Sequence, residues 1–125
     1  ITMAIATCFP ANPVDMLIGT GGSAEAVITA AAMRCIGGEV ICRWKPKDEK
    51  HTTRLKEAGI TDFSAIFRSQ DLARGKDLSF TATGILNGPL AKGVTVGARH
   101  TLTHSVVMTS NPSTVRFIKT RHLTG

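Results

Sequence analysis

Apolar and polar positions follow two different patterns along this chain. Up to Gly93, short apolar runs are separated by glycine, proline and polar segments, whereas beyond Gly93 apolar and polar residues alternate. Residues 14–18 form an apolar run without alternation, which is typical of a strand buried on both faces. The alanine-rich residues 24–36 predict a buried helix, with Ser23 as its N-cap and Gly37 at its C-terminal end.

Strands and helices are predicted to alternate after this first helix. The pattern predicts a strand over residues 39–44, a polar helix from Asp48 to a stop at Gly59, a short strand at residues 66–67, a helical turn over residues 70–74 and a strand over residues 78–83. Residues 101–108 and 114–121 then alternate on either side of Asn111-Pro112, which predicts a hairpin. The sequence therefore predicts an α/β fold with a mostly parallel sheet, flanking helices and a C-terminal antiparallel hairpin.

Length and composition narrow the class of protein. The chain has 125 residues, of which 42% are hydrophobic, so residues 1–125 are expected to form a single α/β domain. The apolar runs are shorter than the roughly 20 residues that a membrane helix needs, and no signal peptide is recognisable, so we expect a soluble, cytoplasmic protein. Cys8, Cys35 and Cys42 are odd in number and lack a C-x-x-C spacing, which argues against a disulfide framework or a cysteine zinc site.

Charge is distributed unevenly along the chain. All nine acidic residues lie between Asp15 and Asp77. After Asp77 the charged side chains are all basic: Lys92, Arg99, Arg116, Lys119 and Arg121. Such a basic segment favours an anionic partner. The chain has no tyrosine and one tryptophan, so it lacks the aromatic residues that stack on bases. A small phosphorylated ligand, or an acidic partner surface outside this chain, therefore fits at least as well as nucleic acid. A basic nucleic-acid-binding domain is a third possibility.

The glycine-rich turn Gly19-Thr20-Gly21-Gly22-Ser23-Ala24-Glu25 is the strongest candidate for chemistry. A glycine turn that opens a helix can hold a phosphate, because free backbone N–H groups and the positive end of the helix dipole point to one place. A carboxylate in the first helical turn would repel that phosphate unless a cation lay between them. The sequence therefore suggests that Glu25 works with a metal ion and a phosphate.

Two alternative interpretations of this turn stay open at the level of residues. Gly19 to Ala24 also satisfies the G-x-G-x-x-G/A dinucleotide fingerprint, and Arg43 at the end of the next strand would favour NADP over NAD. The second interpretation is a non-catalytic module, in which the glycines only permit a tight connection and Glu25 only interacts with the helix dipole.

Other candidate residues carry weaker signals. His100 and His104 have a helical metal-ligand spacing, but they lie in a predicted strand, where positions four apart are about 13 Å from each other. They are therefore expected to be polar strand residues. Lys45 and Lys47, on either side of Pro46, could bind phosphate, but a solvated basic turn is the more common role of such a segment.

Several segments together resemble one family. These are residues 17–27 with the glycine-rich turn, residues 30–39, residues 81–94 with Thr83-Gly84-Ile85-Leu86-Asn87-Gly88, residues 104–108 and residues 114–118. In this order they are similar to the C-terminal part of class II fructose-1,6-bisphosphatases, including the bifunctional fructose/sedoheptulose bisphosphatases. The resemblance implies that the chain is the C-terminal portion of a larger two-domain enzyme.

The resemblance also implies a function and site residues. The family hydrolyses the 1-phosphate of a sugar bisphosphate with Mg²⁺ or Mn²⁺; Glu25 matches its metal-binding glutamate and Gly22 the glycine whose backbone contacts substrate. The chain differs from the family at Ala24 and Ala26, where Pro-Glu-Gly is common, and at Asn87, where an aspartate is common. The intact enzyme is expected to be a homo-oligomer that binds neither nucleic acid nor membranes, and the isolated chain to be inactive.

Overall fold

The fold is known from a computed structural model that describes residues 1–123. Its helices are α1 (Thr2–Ala6), α2 (Ser23–Ile36), α3 (Glu49–Glu57) and α4 (Ser69–Leu72). Its strands are β1 (Ile41–Cys42), β2 (Phe67–Arg68), β3 (Ser79–Thr83), β4 (Thr95–Val96), β5 (His100–Ser110) and β6 (Ser113–Leu123). The predicted helices and the C-terminal hairpin are confirmed, and the fold is α/β.

The strand β5 organises the main sheet. Along one edge, β6 pairs with it from His100↔Leu123 to Ser110↔Ser113. Its other edge is shared, because β3 pairs with the C-terminal half of β5 and β4 pairs with the N-terminal half. This arrangement lets one strand fix the positions of three others.

The expectation of a mostly parallel sheet is wrong. Every strand pair in residues 1–123 is antiparallel, in the main sheet and in the small sheet of β1 and β2. Parallel neighbours need a long crossover connection. Here β5 and β6 are joined by the two-residue Asn111-Pro112 turn, and β3 reaches β5 through an irregular loop and β4, so the chain reverses direction each time.

The predicted strand over residues 14–18 does not form. Residues 14–22 have no regular structure, and Met16, Leu17 and Ile18 are 72%, 52% and 84% exposed. Their apolar character predicted burial, but a strand also needs a neighbour that accepts its backbone hydrogen bonds. No strand in residues 1–123 pairs with this segment.

The core lies between α1, α2 and one face of the main sheet. Ile5 of α1 and Ala32 and Cys35 of α2 pack in one cluster with Val106 and Met108 of β5. The end of α2 is tied to the hairpin, because the Ser113 hydroxyl donates a 2.6 Å hydrogen bond to the Cys35 carbonyl. Gly37 ends the helix with φ = 77°, a left-handed conformation that favours glycine.

The small sheet is fastened to α4 by polar contacts. The Ser69 backbone N–H donates to the Glu39 carboxylate at 2.9 Å, and the Val40 N–H donates to the Ser69 hydroxyl at 2.7 Å. Arg68 adds an ion pair with Glu39 at 3.6 Å. The strand predicted over residues 39–44 is therefore real but shorter, since β2 offers only two residues for pairing with β1.

Met108→Ala is expected to destabilise the fold by about 2–5 kcal/mol, because it leaves a cavity in the core. Met16→Ala is the matched control: Met16 is 72% exposed and Met108 0%, so the control should change the free energy of unfolding by no more than about 0.5 kcal/mol. Urea unfolding followed by circular dichroism measures both. Equal losses in the two variants would contradict the assignment of the core.

Lowering the pH is expected to weaken the contact between the Glu39 carboxylate and α4. The pKa of the Glu39 carboxyl lies below its ordinary value of 4.5, chiefly because the Ser69 N–H donates to the carboxylate. A lowered folded-state pKa stabilises the fold above the ordinary pKa, and this contribution disappears as the pH falls through the folded value. In Glu39→Gln the free energy of unfolding should therefore fall less steeply as the pH is lowered into the acidic range. Urea unfolding at a series of pH values measures this.

Glu57→Gln is the control for this pH experiment. Glu57 is an exposed carboxylate at the end of α3, and in residues 1–123 it forms no ion pair. The control should lose stability at acidic pH as steeply as the parent chain does. If Glu39→Gln also loses stability as steeply as the parent chain, the role given to the Ser69 hydrogen bond is wrong.

Candidate functional site at the glycine-rich turn

The glycine-rich turn presents an open helix N-terminus. Residues 14–22 are irregular, and α2 begins at Ser23. The N-cap is Gly22, with φ = −73° and ψ = 156°, and no side chain donates or accepts a capping hydrogen bond there. The prediction that Ser23 is the N-cap is wrong by one residue, because Ser23 is already helical.

An uncapped helix start leaves backbone donors available. The first N–H groups of a helix have no partner within the helix. The first helical hydrogen bond of α2 runs from the Ala26 N–H to the Gly22 carbonyl at 3.2 Å. The N–H groups of Ser23, Ala24 and Glu25 come before Ala26 in the chain. With no side-chain cap at Gly22, these groups can donate to an anion.

Glu25 lies directly beside Gly22. It is an exposed residue in the first turn of α2, and its carboxylate folds back over Gly22, into the space that a side chain at position 22 would occupy. The glycine is therefore explained by close approach and not by strain, since its φ is one that any residue adopts. The structure thus places Glu25 in contact with the position of Gly22, the second residue that the family resemblance indicates.

One carboxylate alone does not complete a metal site. In residues 1–123, no group of three or more His, Cys, Asp or Glu side chains is close enough to hold a metal ion. The exposed carboxylate oxygens of Glu25 suit a hard divalent cation such as Mg²⁺ or Mn²⁺, which binds one or two carboxylates together with water and phosphate oxygens. The residues present therefore fit one part of a divalent metal site.

The remaining candidates lie elsewhere in the fold. His100 and His104 are both in β5, and Lys45 and Lys47 are exposed in the connection between β1 and α3. The three cysteines are free thiols. Burial raises the pKa of the thiols of Cys35 and Cys42, so both favour the unreactive protonated form.

Asn87 has a role that sequence analysis left open. Its side-chain oxygen accepts a 2.9 Å hydrogen bond from the Gly93 N–H. The Val94 N–H donates to the Ile85 carbonyl at 3.1 Å, and the Gly88 N–H donates to the Ala91 carbonyl at 3.0 Å. These bonds close residues 84–94 into a compact loop. An asparagine between glycines is a signal for such a loop, because its amide can replace a backbone partner.

Comparison with known proteins identifies the class to which the fold and turn belong. Residues 1–122 match the family model described as bacterial fructose-1,6-bisphosphatase, glpX-encoded. The chain belongs to this family, whose members are phosphatases, and the resemblance drawn from its segments is confirmed.

Individual relatives are also named as fructose 1,6-bisphosphatases. The chain is 34% identical over 135 residues to the D-fructose 1,6-bisphosphatase class 2/sedoheptulose 1,7-bisphosphatase of Synechococcus sp. strain JA-3-3Ab, and 33% identical over 136 residues to the protein of that name from Thermosynechococcus vestitus. These matches cover 98% of this chain but 39% of each relative. The chain therefore spans well under half the length of the relatives it matches.

Within residues 1–123, no helix has both the length and the apolar character needed to span a bilayer.

The uncapped start of α2 can be tested by comparison with α3. In α3 the Asp48 carboxylate caps the helix by accepting the His51 N–H at 2.8 Å. Asp48→Ala should therefore speed amide hydrogen exchange at His51, because that N–H loses its acceptor. Ser23→Ala should leave exchange at Ala24 and Glu25 unchanged, because the Ser23 side chain caps nothing. Two-dimensional NMR of both variants measures these rates, and faster exchange in Ser23→Ala would show that the serine caps α2.

Proposed function

We propose that this chain is the C-terminal portion of a cytoplasmic phosphatase that hydrolyses the 1-phosphate of fructose 1,6-bisphosphate with Mg²⁺ or Mn²⁺. In this proposal the Gly22 backbone contacts substrate and the Glu25 carboxylate binds the metal ion. Family membership supports the reaction, since the relatives are named as fructose and sedoheptulose bisphosphatases.

The observation that carries the proposal is the pairing of an uncapped α2 N-terminus with the Glu25 carboxylate beside Gly22. The free N–H groups favour a phosphate, and the carboxylate opposes it. A helix N-terminus contributes only about 0.3–1 kcal/mol toward an anion at an exposed site. The negative charge of Glu25 opposes this attraction, and a cation between the carboxylate and the phosphate would turn the repulsion into attraction.

The metal ion gives the family its chemistry when bound, by neutralising phosphoryl oxygens and orienting a water molecule. Glu25 would hold it through a carboxylate oxygen, and the N–H groups at the start of α2 would position the phosphate. Further ligands are proposed to come from parts of the intact enzyme outside these residues. The isolated chain is accordingly proposed to be inactive, and the intact enzyme to be a homo-oligomer that binds no nucleic acid.

Glu25→Gln tests the proposal in the full-length enzyme. The amide keeps the shape of the side chain and removes its charge, so activity on fructose 1,6-bisphosphate should fall by about 100-fold or more, since even residues that only support metal ligands are worth 10–100-fold. Phosphate release in the presence of Mn²⁺ measures the loss. The half-saturating Mn²⁺ concentration should also rise.

Glu49→Gln is the matched control, because Glu49 is also an acidic residue in the first turn of a helix, α3. Its activity and Mn²⁺ dependence should match those of the parent enzyme. If Glu25→Gln retains the parent activity, the assignment of Glu25 to the metal is wrong. If the parent enzyme releases no phosphate from the sugar bisphosphate, the proposed reaction itself is wrong.

A further inference from the structure

A cleft of about 180 Å³ opens between the loop of residues 84–94 and the β5–β6 hairpin. Lys92, His104 and Lys119 line it, together with apolar side chains that include Leu90 and Phe117. We propose that this basic cleft binds the phosphate group of a small anion. No residue of the Gly19–Glu25 turn lines it.

The backbone fixes two of the basic residues with respect to each other. The Gly84 N–H donates to the His104 carbonyl at 2.9 Å, which extends the pairing of β3 with β5 by one residue. The other side of Gly84 packs against the Lys92 carbonyl so closely that a side chain at position 84 would collide with it. Gly84 therefore holds the backbones of Lys92 and His104 together, and the closed loop keeps them there.

The third basic residue is placed by strand register. Lys119 of β6 lies directly opposite His104 of β5. Directly opposed residues on an antiparallel pair have Cβ atoms about 4.5–5.5 Å apart. Lysine and histidine side chains both carry N–H donors, so Lys119 and His104 can contact one anion that lies between them.

The local charge leaves the basic groups available. From Leu78 to Leu123 the sequence contains no Asp or Glu. The ion pairs in residues 1–123 are His51 with Asp48 and Arg68 with Glu39, so neither lysine of the cleft is neutralised by the part of the chain that the structure describes. The cleft thus combines two lysine side chains, Lys92 and Lys119, with the apolar side chains of Leu90 and Phe117.

The size of the cleft limits the ligand. Pockets for drug-sized ligands measure about 300–1,000 Å³, and this cleft has about 180 Å³. It can therefore take a phosphate group but not the whole of a large ligand. Lysine ammonium groups bind phosphate as point charges, and two of them from different elements suit a doubly charged anion.

The test is a titration of the chain with inorganic phosphate, followed by amide NMR shifts at an ionic strength held constant with sodium chloride. Saturable shifts are expected at Lys92, Gly93, His104 and Lys119. Lys119→Met should weaken binding about tenfold, the usual worth of one charged hydrogen bond. Shifts that do not saturate, or that lie outside the cleft, would overturn the proposal.

Arg116→Met is the matched control, because it removes one positive charge from the same strand. Arg116 pairs with Val107 and so faces the opposite side of the sheet from Lys119, which pairs with His104. In the same titration, the phosphate affinity of Arg116→Met should change by less than about twofold, compared with the loss of about tenfold in Lys119→Met. An equal loss in both variants would show that phosphate responds only to net charge.

Further variants separate this proposal from an effect of net charge and from the proposed catalytic role of Glu25. Gly84→Ala keeps every charge of the cleft but displaces the Lys92 backbone, so phosphate binding should weaken in a variant whose remaining amide spectrum is unchanged. If that variant does not fold, Lys92→Met provides the same test, because Lys92 is exposed. Glu25→Gln should leave phosphate binding at the cleft unchanged, so the failure of the proposed catalytic role and the failure of this site are distinguishable.

The source of the phosphate group is tested by comparing fructose 1,6-bisphosphate with inorganic phosphate. A sugar bisphosphate that shifts the same amides and binds more tightly would identify substrate as the source. Equal affinities would identify a free phosphate. Absence of shifts at the cleft with both ligands would contradict the site.

Discussion

The arrangement of this chain depends on the antiparallel pairing around β5. That strand gives its whole length to β6 on one edge and divides the other between β3 and β4. Its residues Val106 and Met108 are fully buried, and α1 and α2 pack against them. A slip of one residue would turn this apolar face toward solvent, so the register of β5 fixes both the core and the helices above it.

Both regions proposed to bind anions take their positions from this pairing. The end of α2 is tied to the hairpin by the Ser113 to Cys35 hydrogen bond, which fixes the helix whose other end carries Glu25. The basic cleft depends on the same strand more directly, because Gly84 bonds to the backbone of His104 and Lys119 pairs opposite it. The pairing around β5 therefore sets the position of α2 and the geometry of the cleft.

The parts of the fold that sequence predicts well are those governed by local signals. The Gly37 that ends α2, the start of α3 next to Asp48 and the Asn111-Pro112 turn are all properties of a few adjacent residues. Strand direction was predicted wrongly, because it depends on which segments meet in space. The exposed residues 14–18 show the same limit, since apolar composition predicts burial but not the partner that provides it.

The candidate site shows a similar division. The sequence indicated Glu25 beside the glycine-rich turn, because a carboxylate next to a phosphate-binding turn is an electrostatic conflict that can be recognised from residue types alone. Gly22 was indicated by the family resemblance. The basic cleft carries no such local signal, since Lys92, His104 and Lys119 come from three separate segments. The two regions would also attract anions by different means. At α2 the backbone dipoles are opposed by a carboxylate, whereas the residues that line the cleft include two lysines and His104 and no Asp or Glu. A phosphate titrated without divalent metal is therefore expected to bind at the cleft before it binds at the turn.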